Sequence, residues 1–459
     1  MTDLTSPGTL RSGREFATHG AILLDNFDVL EHLQTSHPTN AADASADDAP
    51  VSVLRASRPD KRDAGPSRSR SWSPPCRRSA RLRGPVDDSL VCRLPTRAAR
   101  RAAEQAALGT PLKRVVRKHV ANAEPLHIST SPADYPVTST GWGGIREKVT
   151  EQREYSLVEL QQDFGMTLVP WDGQSSCPLV DNASRVIGVL GGRPKGRDYL
   201  RQTDEAARQL ESARHQLNFR PDQANGRRGA FASVSYGISY GGGQQVPGNL
   251  THTPAVSKIM EVLFEMQCFS RIAGFANGIF KAWNPAVHAL YTLTLDALTY
   301  DHNPALKRNF PATFSAFAAA TLNFGPVTVT YPHIDALNLA WGWCAITALG
   351  NFNPDVGGHL VLWDLKLVIR FPAGSTILIP SAILRHSNIA IASGETRFSF
   401  TQYTAAGLFR WVDNDFKSDV TVAQEIRGNL QAQEQRALAR SVRWEEGINS
   451  FHRWSPCTA

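Results

Sequence analysis

The sequence is poor in cysteine, and the few it has are not arranged for cross-linking. Six cysteines, at 76, 92, 177, 268, 344 and 457, are spread over 459 residues. No two form a CxxC pair, which argues against a zinc ribbon, and the spacings suit no disulfide framework. A reducing, intracellular setting is expected. No apolar run approaches the roughly 18 residues that a membrane span needs, so no membrane contact is expected. The opening stretch MTDLTSPGTLRSGREF lacks the apolar core of a signal peptide. The run GGGQQ at 241–245 lacks the Lys-Ser/Thr and the following helix of a phosphate loop, so it reads as a turn.

What is present is unevenly distributed. Apolar residues make up 42% of the chain, enough for a sizeable core, and the net charge is +7. Residues 51–120 hold 18 Lys/Arg against 5 Asp/Glu, an excess of 13 that leaves the remainder at −6. The basic character therefore belongs to one segment. Residues 1–135 are rich in Ala, Ser, Pro, Asp and Arg without lasting periodicity, and are expected to be mostly disordered. Within them GAILLDNFDVLEHL (20–33) has the pattern of a short helix. SRSRSWSPPCRRSARLRG (67–84) and LKRVVRKHV (112–120) are basic clusters. Such clusters suit a solvated linker, nuclear import or loose phosphate contact.

A folded domain is expected over 136–416, with a helical C-terminal segment at 417–459. SLVELQQDFG (156–165) reads as a helix capped by Ser156 and stopped by glycine. RVIGVLGGRPKG (185–196) reads as a strand and turn, residues 197–217 as a polar helix, and SVSYGISYG as a strand. From Pro254 to about Tyr300 the pattern is helical. Then the period changes. GPVTVTYPHID alternates, and six short segments rich in β-branched and aromatic residues follow before residue 404. Seven or eight strands in about 80 residues predict a β-sandwich or barrel-like core packed by the preceding helices, an α+β fold.

The chemistry is concentrated in YPHIDALN (331–338). Residues two apart on a strand share a face, so His333 and Asp335 can point at one ion. A third ligand must come from elsewhere, and His359 and His386 are the candidates. Two imidazoles and one carboxylate on one face of an octahedron leave three positions open, the arrangement of non-haem Fe(II) oxygenases. His386 opens the strand HSNIAI, and Arg397 follows eleven residues later. A guanidinium there could hold the far carboxylate of 2-oxoglutarate bidentately, with Ser399 on the same strand face adding a hydroxyl. The structural alternative makes His386 a strand-end residue and Arg397 a surface partner of Glu395. The order His-x-Asp, His, Arg within one strand-rich segment favours the iron site.

HIDALNLAWGWCAITALGNFNPDVGGHLVLWDLKLVIRFPAGSTILIPSAILRHSN, followed by GETRFSFTQYTAAGLFRWVDN, resembles the fungal branch of the TET/JBP dioxygenases, which oxidise methyl groups on nucleic-acid bases. The likeness spans roughly 141–416. It implies a double-stranded β-helix (jelly-roll) core flanked by helices. It also implies Fe(II) on His333, Asp335 and His386, with 2-oxoglutarate on Arg397, Ser399 and His359. Asn338 would then hydrogen-bond near a flipped-out base, and Tyr403 would stack on it. Arg227 and Arg228 of GRRG are candidates to hold phosphate or cosubstrate. Two positions depart from the family: Ala405 replaces a histidine and Ile334 a commonly basic residue.

The expected reaction is oxidation of 5-methylcytosine in DNA to 5-hydroxymethylcytosine, and further, with O2 consumed and succinate and CO2 released. Within the same chemistry, N6-methyladenine, thymine or a methylated RNA base are alternatives, as is a protein side chain. A catalytically inactive nucleic-acid-binding module is the reading from another class. A DNA substrate and the basic clusters together imply a nuclear location.

Overall fold

A computed structural model of the chain describes residues 8–9, 15–16, 120, 123–146 and 152–455. The helix expected at 20–33 and the basic clusters, apart from Val120, lie outside them. Short strands β1 (Gly8–Thr9) and β2 (Glu15–Phe16) pair only with each other. A nine-stranded sheet runs in the order β3 (Leu126–His127), β5 (Cys177–Val180), β6 (Val186–Gly192), β13 (Thr376–Ile379), β10 (Cys344–Asn351), β15 (Thr396–Tyr403), β9 (Ala319–Asn323), β7 (Ser233–Ser239), β8 (Gly248–Asn249). A four-stranded sheet has the order β14 (His386–Asn388), β11 (Leu360–Leu362), β12 (Leu367–Ile369), β4 (Thr167–Val169). Between 344 and 403 the chain passes back and forth. Strands β10, β13 and β15 lie in the large sheet, and β11, β12 and β14 in the small one.

Helices cover one face of the large sheet. Helix α1 (Leu157–Gln162) starts as its sequence predicts, with the Ser156 hydroxyl accepting from the Glu159 N–H. Four more follow: α2 (Arg197–Leu217), α3 (Pro221–Ala224), α4 (Pro254–Glu265) and α5 (Gln267–Trp283). Alternation along β15 sorts its side chains. Phe398 and Phe400 join Tyr199 and Leu210 of α2, Leu263 of α4 and Phe269 of α5 in one core. Full burial of a phenylalanine such as Phe400 contributes roughly 2 kcal/mol. Arg397 and Ser399 alternate with these aromatics, so they point to the opposite face. On that side Leu360, Leu362 and Ile369 of the small sheet share a core with Ile377 and Ile379 of the large one.

The segment that carries His333 departs from expectation. GPVTVTYPHID alternates like a strand, yet its backbone belongs to no ladder. It makes only isolated bridges, Val327 with Arg397 and His333 with His386. Pro326 and Pro332 have no N–H to donate, and the remaining groups are divided between two neighbours. The Arg397 N–H donates to the Pro326 carbonyl at 2.6 Å, and the Thr328 N–H to the Arg397 carbonyl at 3.0 Å. Further on, the Asn388 N–H donates to the Thr330 carbonyl at 3.0 Å, and His333 and His386 exchange both backbone bonds at 3.0 and 2.9 Å. The segment thus crosses from β15 in one sheet to β14 in the other.

Both expected boundaries shift. Leu126 and His127 pair with β5 and Ile128 is buried, so the ordered fold begins before residue 136. An edge strand of two residues is too short to show a period. Beyond α6 (Pro285–Asp296) and α7 (Ala406–Asp413), the C-terminal stretch forms α8 (Asp419–Glu425) and α9 (Leu430–Asn449), parted near Gly428 at φ +85°. Ile448 and Phe451 join the core of Trp341 and Trp343. Gly447 lets α9 approach so closely that a Cβ there would collide with the Trp341 ring.

Candidate metal centre

The two backbone bonds between His333 and His386 put their side chains on the same face of an antiparallel pair. Their rings lie 4.3 Å apart, centroid to centroid. Asp335 joins them: its Oδ1 is 3.9 Å from His333 Nε2, and its Oδ2 is 4.0 Å from His386 Nε2. One donor atom from each of the three residues falls within 4.8 Å of the others.

The protons on the imidazoles can be assigned from their neighbours. His333 Nδ1 lies 2.7 Å from the Tyr331 carbonyl, and His386 Nδ1 2.9 Å from the Leu384 carbonyl. A carbonyl only accepts, so each Nδ1 carries the proton and donates it. Each Nε2 is left with a lone pair aimed inward, the tautomer a metal requires. Burial, with the neighbouring His386, pushes the His333 pKa well below its usual value. Burial works to raise the Asp335 pKa, but Arg228, His333 and His386 together hold it well below the carboxylate range. At ordinary pH His333 is therefore a neutral imidazole and Asp335 an ionised carboxylate.

Asp335 is fixed from behind. Its N–H donates to the Ser381 carbonyl at 2.9 Å, and its own carbonyl accepts from the Asn338 N–H at 2.9 Å. Asn338 turns its amide inward, with Nδ2 3.2 Å from Cys344 Sγ and 3.4 Å from Ser381 Oγ. Its donor is committed to the protein, so Asn338 braces the loop that carries Asp335. The resemblance implies a base contact for Asn338, whereas the hydrogen bonds its Nδ2 makes here run to Cys344 and Ser381. Arg228 also differs from expectation: its Nη2 donates to Asp335 Oδ1 at 2.7 Å, an ion pair with the metal set itself.

Arg397 lies on β15 beside the start of the crossing segment and is 1% exposed. The alternative pairing with Glu395 is absent, because Glu395 accepts backbone N–H bonds from Asn353 and Ala392. Arg397 Nη1 donates to the Thr328 carbonyl at 2.7 Å. Its guanidinium sits 5.9 Å from the Phe352 ring and 6.0 Å from that of Phe371. Burial lowers its pKa to about 10. No carboxylate among the described residues pairs with it, and both its Nε and Thr328 Oγ1 are buried without a hydrogen-bond partner. A buried cation without a counter-ion costs several kcal/mol, and a ligand carboxylate would remove that cost.

The other expected residues fall around this frame. Ser399 Oγ accepts from Asn323 Nδ2 at 2.7 Å. Tyr403 is half-buried at the end of β15, opposite Ala319 of β9, and burial raises the pKa of its hydroxyl. Arg227 sits in the same turn as Arg228. His359 is buried outside the three-residue set; its Nδ1 has no partner and burial holds its pKa at about 4. Its charged neighbours are Arg370 and Asp355. Sequence reasoning missed Ser381, Cys344 and Thr328, since a small polar residue in an apolar stretch carries no local signal of what it braces.

A separate cleft of about 420 Å³ opens between α7, α8 and α9, lined by Arg410, Asp413, Asp419, Arg436, Arg440 and Arg443 among others. None of the metal set lines it.

Fold and site together define a buried mononuclear metal centre of two histidines and one carboxylate. Its donors fit Fe(II) with 2-oxoglutarate as cosubstrate. No protein-family profile and no curated protein matches the chain. Solved structures are similar to it, two among them as follows. One is NgTET1 in complex with 5mC DNA, 13% identical over 55% of this chain and 88% of that one, with a TM-score of 0.37. The other is a 2OG-Fe(II) oxygenase family oxidoreductase from Burkholderia pseudomallei, 15% identical over 47% of this chain and 92% of that one, with a TM-score of 0.25. Both scores are too low for a shared fold to follow.

Proposed function

We propose that this protein is an Fe(II)- and 2-oxoglutarate-dependent dioxygenase that oxidises a methyl group on a nucleic-acid base, with 5-methylcytosine in DNA as the favoured substrate. One observation carries the reading: two imidazole Nε2 atoms and a carboxylate converge in a buried corner, with an uncompensated guanidinium on the adjoining strand. The back-and-forth strands between 344 and 403 support a double-stranded β-helix as the finer description of the core. The choice of base rests on the sequence resemblance. A nuclear location belongs to the same proposal.

His333, Asp335 and His386 would hold the ion, and Arg397 would hold the cosubstrate. Together these would supply O2-dependent C–H oxidation, converting methyl to hydroxymethyl while 2-oxoglutarate becomes succinate and CO2. The chain does the rest. Carbonyls of Tyr331 and Leu384 fix the imidazole protons away from the ion. Ser381 and Asn338 hold Asp335 in place. Phe352 and Phe371 keep water from the Arg397 guanidinium, which strengthens its attraction for a carboxylate. A base inside a duplex cannot reach a buried corner, so it must leave the stack at a cost of a few kcal/mol. Tyr403, half-buried at the end of β15, is the ring that would stack on it.

The test is nucleoside mass spectrometry after incubating the full chain with Fe(II), 2-oxoglutarate, ascorbate and methylated DNA, with succinate measured in parallel. Hydroxymethylcytosine together with succinate is expected. Turnover only on N6-methyladenine, thymine or a methylated RNA would move the substrate within the same chemistry. Tight DNA binding with iron present and no succinate from any nucleic acid would favour an inactive binding module and end the enzymatic reading.

A further inference from the structure

Arg228 contributes a charge that three metal ligands alone do not require. Its position is built in. The Gly226 and Gly229 N–H groups donate to each other's carbonyls at 3.0 and 3.2 Å, which closes the GRRG turn. Gly229, at φ +156°, faces the Val329 carbonyl, where a Cβ would collide. The Arg228 carbonyl accepts from the Tyr331 N–H at 2.8 Å. The Tyr331 carbonyl in turn holds His333 Nδ1. The turn is therefore anchored to the segment that carries two of the three donors.

A carboxylate can bind an ion through one oxygen or both. Each oxygen faces one imidazole, Oδ1 at 3.9 Å from His333 Nε2 and Oδ2 at 4.0 Å from His386 Nε2, but only Oδ1 accepts the Arg228 bond, at 2.7 Å. We infer that Arg228 is a positioning residue that occupies one oxygen of Asp335, so that the carboxylate ligates through the other alone. This rests on the proposed metal reading. A carboxylate that took two positions would leave only two for ligands. One held to a single position leaves three, enough for a chelating 2-oxo acid and O2. A guanidinium beside a divalent ion also repels it. Arg228 thus weakens metal binding somewhat and in return keeps the ion open to cosubstrate.

That trade separates this role from others. Loss of a mere structural contact would weaken metal and cosubstrate together. Loss of a nucleic-acid contact would change neither. The experiment is anaerobic titration of the full chain, wild type and Arg228→Ala, with Co(II) alone as the probe. 2-Oxoglutarate is then titrated into the Co(II)-loaded protein, followed by the Co(II) d–d absorption. Arg228→Ala is expected to bind Co(II) at least as tightly as wild type. Its 2-oxoglutarate Kd is expected to rise about 10-fold or more, roughly 1.4 kcal/mol of lost binding. Arg228→Lys keeps one cation on the oxygen and is expected to restore most of the cosubstrate affinity. An unchanged 2-oxoglutarate Kd, or parallel loss of both affinities in a variant that melts like wild type, overturns the inference. If wild type binds Co(II) and 2-oxoglutarate normally, such a result leaves the metal reading standing. If wild type binds no Co(II), the metal reading fails first.

Discussion

Two groups of ionisable side chains sit in this molecule, and they are organised in opposite ways. In the C-terminal cleft, cations and anions satisfy one another. Arg410 and Arg436 share Asp419 at 3.2 and 2.6 Å, Arg443 meets Asp413 at 3.3 Å, and Lys417 meets Glu425 at 2.8 Å. At the metal corner, the imidazole nitrogens stop 3.9 and 4.0 Å short of the carboxylate, too far for hydrogen bonds, with their protons pinned away. Among the described residues no acid pairs with the Arg397 guanidinium. Charges that neutralise each other at contact distance hold helices together. Donors kept apart around a common point await something from outside.

The comparison can be broken most sharply at the ligands. His333→Ala removes one of three donors and is expected to cut metal affinity by more than about 100-fold, beyond the loss typical of outer partners. Metal content after dialysis measures it, and full retention of iron would place the two groups in the same category. Next comes Arg397→Met, which removes the uncompensated charge. It is expected to weaken 2-oxoglutarate binding by roughly 10- to 100-fold while metal affinity moves little. The cofactor-free protein is expected to melt higher, since removing a buried unpaired ion relieves its desolvation. A lower melting temperature would mean that Arg397 has a partner inside the fold.

Acid sharpens the contrast further. Burial lowers the pKa of His359 to about 4 and that of His288 to about 3. The unfolded chain takes up these protons near pH 6.5, and the folded chain only well below it. Their contribution is complete above about 6.5 and is lost as pH falls toward 4 and then 3. Urea midpoints should therefore drop between pH 6.5 and 4, and less steeply in His359→Asn. A midpoint flat across that window would contradict the assignment. The smallest effect belongs to the cleft. Asp419→Ala frees two arginines at the cleft wall, Arg410 and Arg436, and is expected to cost about 1 kcal/mol, with metal affinity unchanged.

Much of this was readable from residue order. The helices over 156–300 and the strands from 344 to 403 announce themselves through period and punctuation. His-x-Asp, His and Arg are spaced as the site needs them. The segment holding His333 was misread because its alternation is real but its prolines withhold donors and its partners lie in two sheets. The Arg228–Asp335 pair joins residues 107 apart, and no local pattern reports such a contact. Asn338 looked like a group offered to a base. Only the packing of Cys344 and Ser381 against it shows where its amide points.

The crossing segment also acts as a ruler. One end is stitched to Arg397 and the other to His386, so the stretch from Thr328 to His333, at most roughly 17 Å when fully drawn out, sets the gap between anchor and ion. A ligand must match that gauge at both ends. Lengthening this stretch by a single residue would leave every side chain of the site intact and still put it out of calibration.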